Sequence, residues 1–272
     1  MKQALVIAAL IWSAGACPSR AEEPYGLPLK GEAAEAFLQT AEVIRKRGIG
    51  TGITHPEQYT LSDGVRTHKA VWKTIDEFKR GITSLEGGGV IVDFADSYRH
   101  EIAAYELDKV LGTGLVPPTV ERKFGHTTGS LQMWVEGATT EADRRQKKIA
   151  PPDPEAWNEQ MHKVRLLHQL MDNTDYRNIR NVLSDPSFRL YAVDFSRGFT
   201  IYADLRSEKE LVRFSRSVLE ALRALDRATL EAKLGRWLGG PQIEGLLKRR
   251  DKILALAAKS VAERGEPVVL YP

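Results

Sequence analysis

Cysteine is almost absent from this chain, because Cys17 is the only one among 272 residues. An internal disulfide is therefore excluded, and the hydrophobic core must supply the stability of the fold. A zinc site of the C-x-x-C type and a cysteine nucleophile beyond the N-terminal segment are excluded as well. The net charge is only +3, and no run of Lys and Arg is interleaved with aromatic residues. This balance suits an anionic substrate and does not indicate a nucleic-acid partner.

The chain also lacks a long hydrophobic run. Residues 4–12 form the apolar run at the N-terminus, which is too short to span a bilayer. A basic residue precedes it and small residues follow it up to Ala21, which is typical of a secretory signal peptide over residues 1–21. The alternatives are an ordinary apolar helix, or a bacterial lipobox with a lipid anchor at Cys17, although Ala14 stands where leucine is usual. We expect an exported protein, periplasmic or secreted, without a transmembrane helix after cleavage.

A proline-rich break, "IAPPDPEA" at residues 149–156, is the best internal boundary. Strand-like patterns and one amphipathic helix precede this break, and mostly helical patterns follow it. The order predicts an α+β chain with a flexible lead over residues 22–32, a sheet-rich N-lobe over 33–150 and a helical C-lobe over 151–272.

Several local patterns give more detailed expectations. "GEAAEAFLQTAEVIRKRG" has helical spacing and predicts one helix that stops at Gly48. "HKAVWKTI" predicts a strand, and "YRHEIAAYELDKVLG" predicts an amphipathic helix that ends at Gly112. "SLEGGGVIVDF" is expected to be a loop, and residues 208–224 are expected to form a helix.

Residues suited to phosphoryl transfer occur in order along the first half of the chain. That chemistry needs a backbone cradle for phosphates, a lysine on a strand and a glutamate to hold the lysine. "GIGTG" provides Gly50 and Gly52 before a strand, although a loop without a ligand explains them equally well. Lys73 lies in the strand-like "AVWKTI", and a lysine on an exposed face is the simpler reading. Glu101 opens the amphipathic helix, where a glutamate also stabilises the helix dipole.

Three further polar residues flank a predicted turn and a strand. Asp175 and Asn181 lie in "NTDYRNIRN", and Asp194 ends the apolar "RLYAVD". An aspartate that leaves an apolar strand is a plausible metal ligand, although each acidic residue alone is more simply explained by turn or cap chemistry. The ordered set indicates a nucleotide and metal site more strongly than any one residue.

Five segments together make a resemblance to a known family: "EIAAYELDKVLG", "VPPTVER", "GSLQMWVEG", "NTD..RNIRN" and "AVDFSRGF". Over roughly residues 40–200 the chain resembles a bacterial family of kinase-like proteins. That family is related to the phosphatidylinositol 3- and 4-kinases, to HipA-type kinases and to secretory-pathway protein kinases. The resemblance implies a two-lobed protein-kinase-like fold that binds ATP with Mg²⁺ or Mn²⁺ and transfers phosphate to an unidentified hydroxyl-bearing acceptor.

The resemblance also implies a role for each candidate residue. Lys73 would contact the nucleotide phosphates and Glu101 would pair with Lys73. Residues 132–136 would form the hinge beside adenine, so Gln132 and Trp134 join the predicted nucleotide-binding set. Asp175 would orient the acceptor hydroxyl or act as its base. Asn181 and Asp194 would hold the metal, and Arg177 and Arg197 would brace the loop or contact phosphate.

The chain departs from the family pattern at two positions. Asn181 stands six residues after Asp175 where five are usual, as if Tyr176 were inserted. Either the loop bulges, or Asp175 is displaced and catalysis is impaired. Phe195 also replaces the histidine that usually follows the metal-binding aspartate.

The same sequence bears on other functions. The histidines form neither H-x-x-x-H nor H-E-x-x-H, and no G-x-S-x-G motif occurs, so a zincin and an α/β-hydrolase are not indicated. A metal-dependent nuclease or phosphatase would use the aspartates but would not need Lys73 or Glu101. An exported pseudokinase that binds a nucleotide or a protein, and a nucleotidyltransferase on the same scaffold, stay as alternatives to the phosphotransferase.

Overall fold

The computed structural model describes residues 26–50, 56–84 and 90–272. The predicted signal peptide, with Cys17, lies outside the described residues, and so does Gly52. None of the helices in the described ranges is long and apolar enough to cross a membrane.

The lead before the first helix is attached to the fold from Gly26 onward. Gly26 and Glu136 donate backbone hydrogen bonds to each other's carbonyl oxygens, at 2.9 and 2.8 Å. The first helix begins at Gly31. The described end of the segment expected as a flexible lead over 22–32 is therefore held at Glu136.

The N-terminal part is rich in strands. Its elements in chain order are α1 (Gly31–Thr40), β1 (Glu42–Gly48), β2 (Glu57–Ser62), β3 (Thr67–Lys73), β4 (Asp76–Ser84), β5 (Val90–Ser97), α2 (Tyr98–Leu111), β6 (Thr119–Phe124) and β7 (Thr127–Met133). Five of the strands form one sheet in the order β1-β2-β3-β7-β6, with every neighbouring pair antiparallel. β4 and β5 pair with each other as a separate two-stranded ribbon.

The C-terminal part is mainly helical. Its elements are β8 (Thr139–Thr140), α3 (Glu141–Gln146), α4 (Pro154–Leu170), a 3₁₀ turn (Ile179–Asn181), β9 (Val182–Ser184), β10 (Leu190–Ala192), a second 3₁₀ turn (Glu208–Glu210), β11 (Phe214–Ser215), α5 (Arg216–Ala224), α6 (Arg227–Leu234), α7 (Gly240–Arg264), α8 (Glu266–Val269) and β12 (Leu270–Tyr271). This division into a sheet-rich first part and a helical second part confirms the predicted α+β class.

The two faces of the five-stranded sheet differ in chemistry because side chains alternate along each strand. Trp72 of β3 and Leu131 and Met133 of β7 are buried in one hydrophobic cluster with Phe37 of α1. Lys73 is the next residue after Trp72, so its side chain lies on the opposite face. The sheet thus presents Lys73 on the face that does not carry this hydrophobic cluster.

The helix α2 lies between the sheet and the helical part, and most of its residues are buried. Ser97 caps its N-terminus by accepting a hydrogen bond from the Arg99 amide at 3.2 Å. Gly112 ends it in the left-handed region with φ of 65°, as predicted. Local sequence signals therefore determine both ends of the helix that carries Glu101.

Three local predictions were wrong. The expected helix up to Gly48 ends at Thr40, because residues 42–48 instead pair with β2. The expected loop in "SLEGGGVIVDF" contains β5, which pairs with β4; residues 85–89 lie outside the described residues. The expected helix over 208–224 begins only at Arg216, because β11 pairs in parallel with β12 near the C-terminus. In each case pairing with another strand overrides local propensity, and for β11 that strand lies more than 50 residues further along the chain.

Candidate active site

Lys73 joins two carboxylates that come from different parts of the chain. Its Nζ atom lies 2.5 Å from Glu101 Oε1 and 2.6 Å from Asp194 Oδ1. The side chains of Lys73 and Glu101 are 17% and 2% exposed, whereas that of Asp194 is 42% exposed. The cluster therefore has a buried anchor at Glu101 and a solvent-accessible carboxylate at Asp194.

Glu101 holds this cluster together through both of its carboxylate oxygens. Oε1 binds Lys73, and Oε2 accepts a hydrogen bond from the Phe195 amide at 3.2 Å. Since Glu101 lies in the first turn of α2, the helix fixes the end of β3 and the residue after Asp194 at once. A movement of α2 would change both contacts.

Asp194 has an unusual backbone conformation. Its φ is 64°, in the left-handed region that residues other than glycine rarely adopt. The Asn173 side chain donates a hydrogen bond to the Asp194 carbonyl at 3.2 Å, and the Val193 amide donates one to the Asn181 carbonyl at 2.9 Å. Strained residues held by surrounding contacts are frequent at functional sites.

The opposite charges of Lys73 and Asp194 stabilise each other. Burial favours the neutral amine of Lys73, but the carboxylates of Glu101 and Asp194 outweigh burial and raise its pKa. Burial also opposes ionisation of Asp194, yet the Lys73 ammonium outweighs it and lowers the pKa of Asp194. Burial raises the pKa of Glu101, and Lys73 offsets only part of that increase. Lys73 is therefore a permanent cation at neutral pH.

The loop after α4 brings Asp175 and Asn181 together despite their six-residue spacing. Asp175 Oδ2 accepts hydrogen bonds from the side-chain amides of Asn178 and Asn181, each at 3.0 Å. Two successive backbone turns, Asn178 N to Asp175 O and Asn181 N to Asn178 O, at 2.9 Å each, take up the extra length. The spacing left open whether the loop bulges or Asp175 is displaced. In the structure the loop forms two turns, and the side chains of Asp175 and Asn181 are in contact.

Asn173 and His168 support this loop, and sequence reasoning did not single them out. Asn173 Oδ1 accepts a hydrogen bond from the Asp175 amide at 3.0 Å. Its Nδ2 lies 3.3 Å from His168 Nδ1, and the His168 ring stacks on Phe195 with centroids 5.2 Å apart. Burial lowers the pKa of His168 to about 4, so the ring is neutral and its Nδ1 accepts the hydrogen bond. The only signal in the sequence was the polar "DNTD" directly after an apolar helix.

Arg197 belongs to the same neighbourhood. Its guanidinium lies 3.3 Å from Asp96 Oδ2 of β5 and over the ring of Phe94, 5.4 Å from the centroid. The Thr174 amide donates a hydrogen bond to its carbonyl at 3.3 Å. Arg197 thus links the β4–β5 ribbon to the loop that carries Asp175, as its predicted bracing role requires.

Asn181 and Asp194 each present an oxygen atom that could coordinate a divalent metal. Asn181 uses its amide nitrogen for Asp175, which leaves the amide oxygen as a ligand. Asp194 engages Lys73 and Ser196 through Oδ1, which leaves Oδ2 as a second ligand. Oxygen ligands are those that Mg²⁺ and Mn²⁺ prefer. The described part of the chain contains no ready-made group of three His, Cys, Asp or Glu ligands, so bound phosphates and water would complete the coordination.

Gly50, Gln132 and Trp134 are the other predicted nucleotide-binding residues that the structure describes. Gly50 lies between β1 and β2 with φ of 68°, where a backbone cradle was expected. The Gln132 side chain is buried and donates to Thr119 Oγ1 at 2.9 Å, so it is engaged within the sheet. The Trp134 amide donates to the Lys69 carbonyl at 3.0 Å. Gln132 lies on the Lys73 face of the sheet, because its pairing partner on β3 is Val71.

Comparison with known proteins shows the class of fold. No family model and no curated protein matches the chain. The structure of hydra Fam20 with sugar superposes with a TM-score of 0.65 at 13% identity, covering 87% of this chain and 90% of that one. The Golgi casein kinase with Mn/ADP bound gives 0.63 at 15%, over 88% and 78%. The Helicobacter pylori proinflammatory kinase CtkA gives 0.53 at 11%, over 84% and 98%. The chain therefore has a kinase-like fold, which confirms the predicted two-lobed architecture.

Proposed function

We propose that this protein is a metal-dependent, ATP-using phosphotransferase that acts on a hydroxyl-bearing acceptor. The observation that carries the proposal is the ion cluster in which Lys73 joins Glu101 and Asp194. A lysine held by a buried glutamate from a helix, next to an exposed aspartate, is the arrangement that kinases use to position nucleotide phosphates. The Mn/ADP complex of the structurally similar Golgi casein kinase supports this proposal.

Each residue of the cluster has a distinct task in this proposal. Lys73 contacts the phosphates, and its raised pKa keeps the ammonium charged. Glu101 is buried and fixes the position of Lys73 through their ion pair. Asp194 and Asn181 would hold Mg²⁺ or Mn²⁺, which would neutralise charge on the phosphate groups of the nucleotide.

Asp175 receives the proton of the acceptor hydroxyl. Its Oδ2 atom is held by two asparagine amides, and among the described residues no side chain or amide donates to Oδ1. A carboxylate with one oxygen fixed and the other unengaged can orient a hydroxyl and accept its proton. The hydrogen bond between Asp175 and Asn181 supports this role, because Asn181 is a proposed metal ligand.

Label transfer from ATP tests the proposal. Wild-type protein and Asp194→Asn are incubated with γ-labelled or α-labelled ATP and either Mg²⁺ or Mn²⁺. Asp204→Asn is the matched control, because Asp204 is 89% exposed and, among the described residues, pairs with Lys252 alone. We expect metal-dependent transfer of the γ label by the wild type and the control, and its loss in Asp194→Asn.

The same experiment separates the alternatives. Transfer of the α label would indicate a nucleotidyltransferase. A nucleotide-dependent rise in melting temperature without transfer of either label would indicate a binding module. If no nucleotide changes the melting temperature with either metal, the phosphotransferase proposal fails.

We also propose that the protein is exported, on the basis of the signal-peptide pattern over residues 1–21. Fractionation of expressing bacteria should recover a shortened chain outside the cytoplasm. Replacing Cys17 with Ser should leave the fractionation unchanged if the chain is cleaved near Ala21. Loss of membrane association in that variant would instead indicate a lipid anchor.

A further inference from the structure

A cavity of about 410 Å³ lies beside the loop that carries Asp175. α3 and α4 form part of its wall, and the loop, the first residue of β9 and the segment 209–212 form the rest. This volume is within the range of about 300–1,000 Å³ that small-molecule sites occupy. None of Lys73, Glu101 and Asp194 lines the cavity, so the cavity is separate from the ion cluster that is proposed to position the nucleotide phosphates.

The side chains around this cavity carry excess positive charge. Arg165, Arg177 and Lys209 line it, and within the described ranges none of the three forms an ion pair with a carboxylate. Arg145 also lines it but is bound to the buried Glu141 at 2.6 Å. The one other lining carboxylate is Glu210, so cations predominate. Cations that lack an internal partner around a concave surface attract an anion.

The extra residue in the loop connects the cavity to Asp175. Tyr176 lines the cavity, and its Cα is about 3.8 Å from that of Asp175, because consecutive Cα atoms have that separation. The Arg177 guanidinium lies over the Tyr176 ring, 5.3 Å from its centroid. The wall of the cavity and Asp175 therefore belong to the same loop.

We infer that this cavity binds a phosphate group of the acceptor, so that the acceptor is a phosphate-bearing hydroxyl compound. The inference rests on the proposed phosphotransferase function. Arginine matches phosphate well, because its planar fork donates two parallel hydrogen bonds to phosphate oxygens. Buried Met161, Val164 and Val182 line the remaining wall and would contact the carbon skeleton.

The test measures phosphate binding independently of turnover. Calorimetry with inorganic phosphate is performed on the full protein with Mn²⁺ and a saturating non-hydrolysable ATP analogue, which occupies the nucleotide site. The variant is Arg165→Gln with Lys209→Gln. The control is Arg223→Gln with Lys123→Gln, two exposed cations without ion pairs among the described residues that lie outside this cavity.

We expect the cavity variant to bind phosphate at least about tenfold more weakly, because it loses a charge-assisted hydrogen bond at each position. The control should stay within about twofold of the wild type, and both variants should bind the ATP analogue as the wild type does. An unchanged melting temperature excludes misfolding of the cavity variant. If the wild type does not bind phosphate, or the cavity variant binds it equally well, the inference is overturned.

Two further arms identify the source of the phosphate and separate the two proposals. Competition by glycerol 3-phosphate indicates a soluble acceptor, whereas cavity-dependent binding to vesicles of phosphatidylglycerol and phosphatidylcholine indicates a lipid. Transfer of the γ label together with unaltered phosphate binding in the cavity variant would reject the anion site and leave the phosphotransferase intact. Cavity-dependent phosphate binding without any nucleotide binding would reject the acceptor role and the phosphotransferase together.

Discussion

Acidification should destabilise this protein steeply through His168. The side chain is only 4% exposed, and burial lowers its pKa to about 4 from an ordinary value of 6.5. The folded protein therefore binds fewer protons at this position than the unfolded chain does. Stability must fall as the pH drops below 6.5, and the loss is complete below pH 4.

The size of the effect follows from the two pKa values. The difference between 6.5 and about 4 corresponds to about 3.4 kcal/mol once both states are protonated. At pH 5 the unfolded histidine is mostly protonated and the folded one is not, which gives a loss of about 2 kcal/mol. A protonated ring also cannot accept the hydrogen bond from Asn173, so the loop that carries Asp175 would lose a support.

Urea unfolding between pH 7.5 and pH 5 measures this contribution. His168→Gln keeps an acceptor for Asn173 but does not titrate, so it should lose about 2 kcal/mol less than the wild type over this range. His126→Gln, in the exposed turn between β6 and β7, should follow the wild type. The reasoning is refuted if His168→Gln and the wild type lose stability equally between the two pH values.

Two further substitutions probe the candidate site. Asp175→Asn should retain nucleotide affinity but slow label transfer at least about 100-fold in single-turnover assays. The amide oxygen accepts the same hydrogen bonds, but the amide cannot take a proton. Undiminished transfer would show that another group accepts the proton of the acceptor hydroxyl. Gly129→Ala should lower the free energy of unfolding by about 1–3 kcal/mol in urea titrations, because the new Cβ would overlap the Lys73 carbonyl oxygen. The same overlap should displace Lys73 and weaken nucleotide binding. Gly240→Ala is its control, since a Cβ there meets nothing within 4 Å; equal stability of the two variants would show that β3 shifts freely.

The parts of the fold that local signals determine could be predicted from the sequence. The amphipathic stripe and Gly112 define α2, and the apolar residues of "HKAVWKTI" indicate β3, so the elements that carry Glu101 and Lys73 were placed correctly. β1 and β5 could not be predicted, because their strand character depends on partners that the local sequence does not reveal. The α+β class survives such errors because it depends on the order of many elements.

The chain itself determined which chemical groups the site contains and the order in which they occur. Only the tertiary structure decided how they meet: Lys73 reaches Asp194 across 121 residues, and the neutral His168 holds Asn173 within the interior. The six-residue spacing of Asp175 and Asn181 was compatible with a bulged loop or with a displaced Asp175, and two backbone turns bring their side chains to 3.0 Å. A count of residues measures the length of the chain between two groups, whereas their distance depends on the path that hydrogen bonds and packing impose on that length.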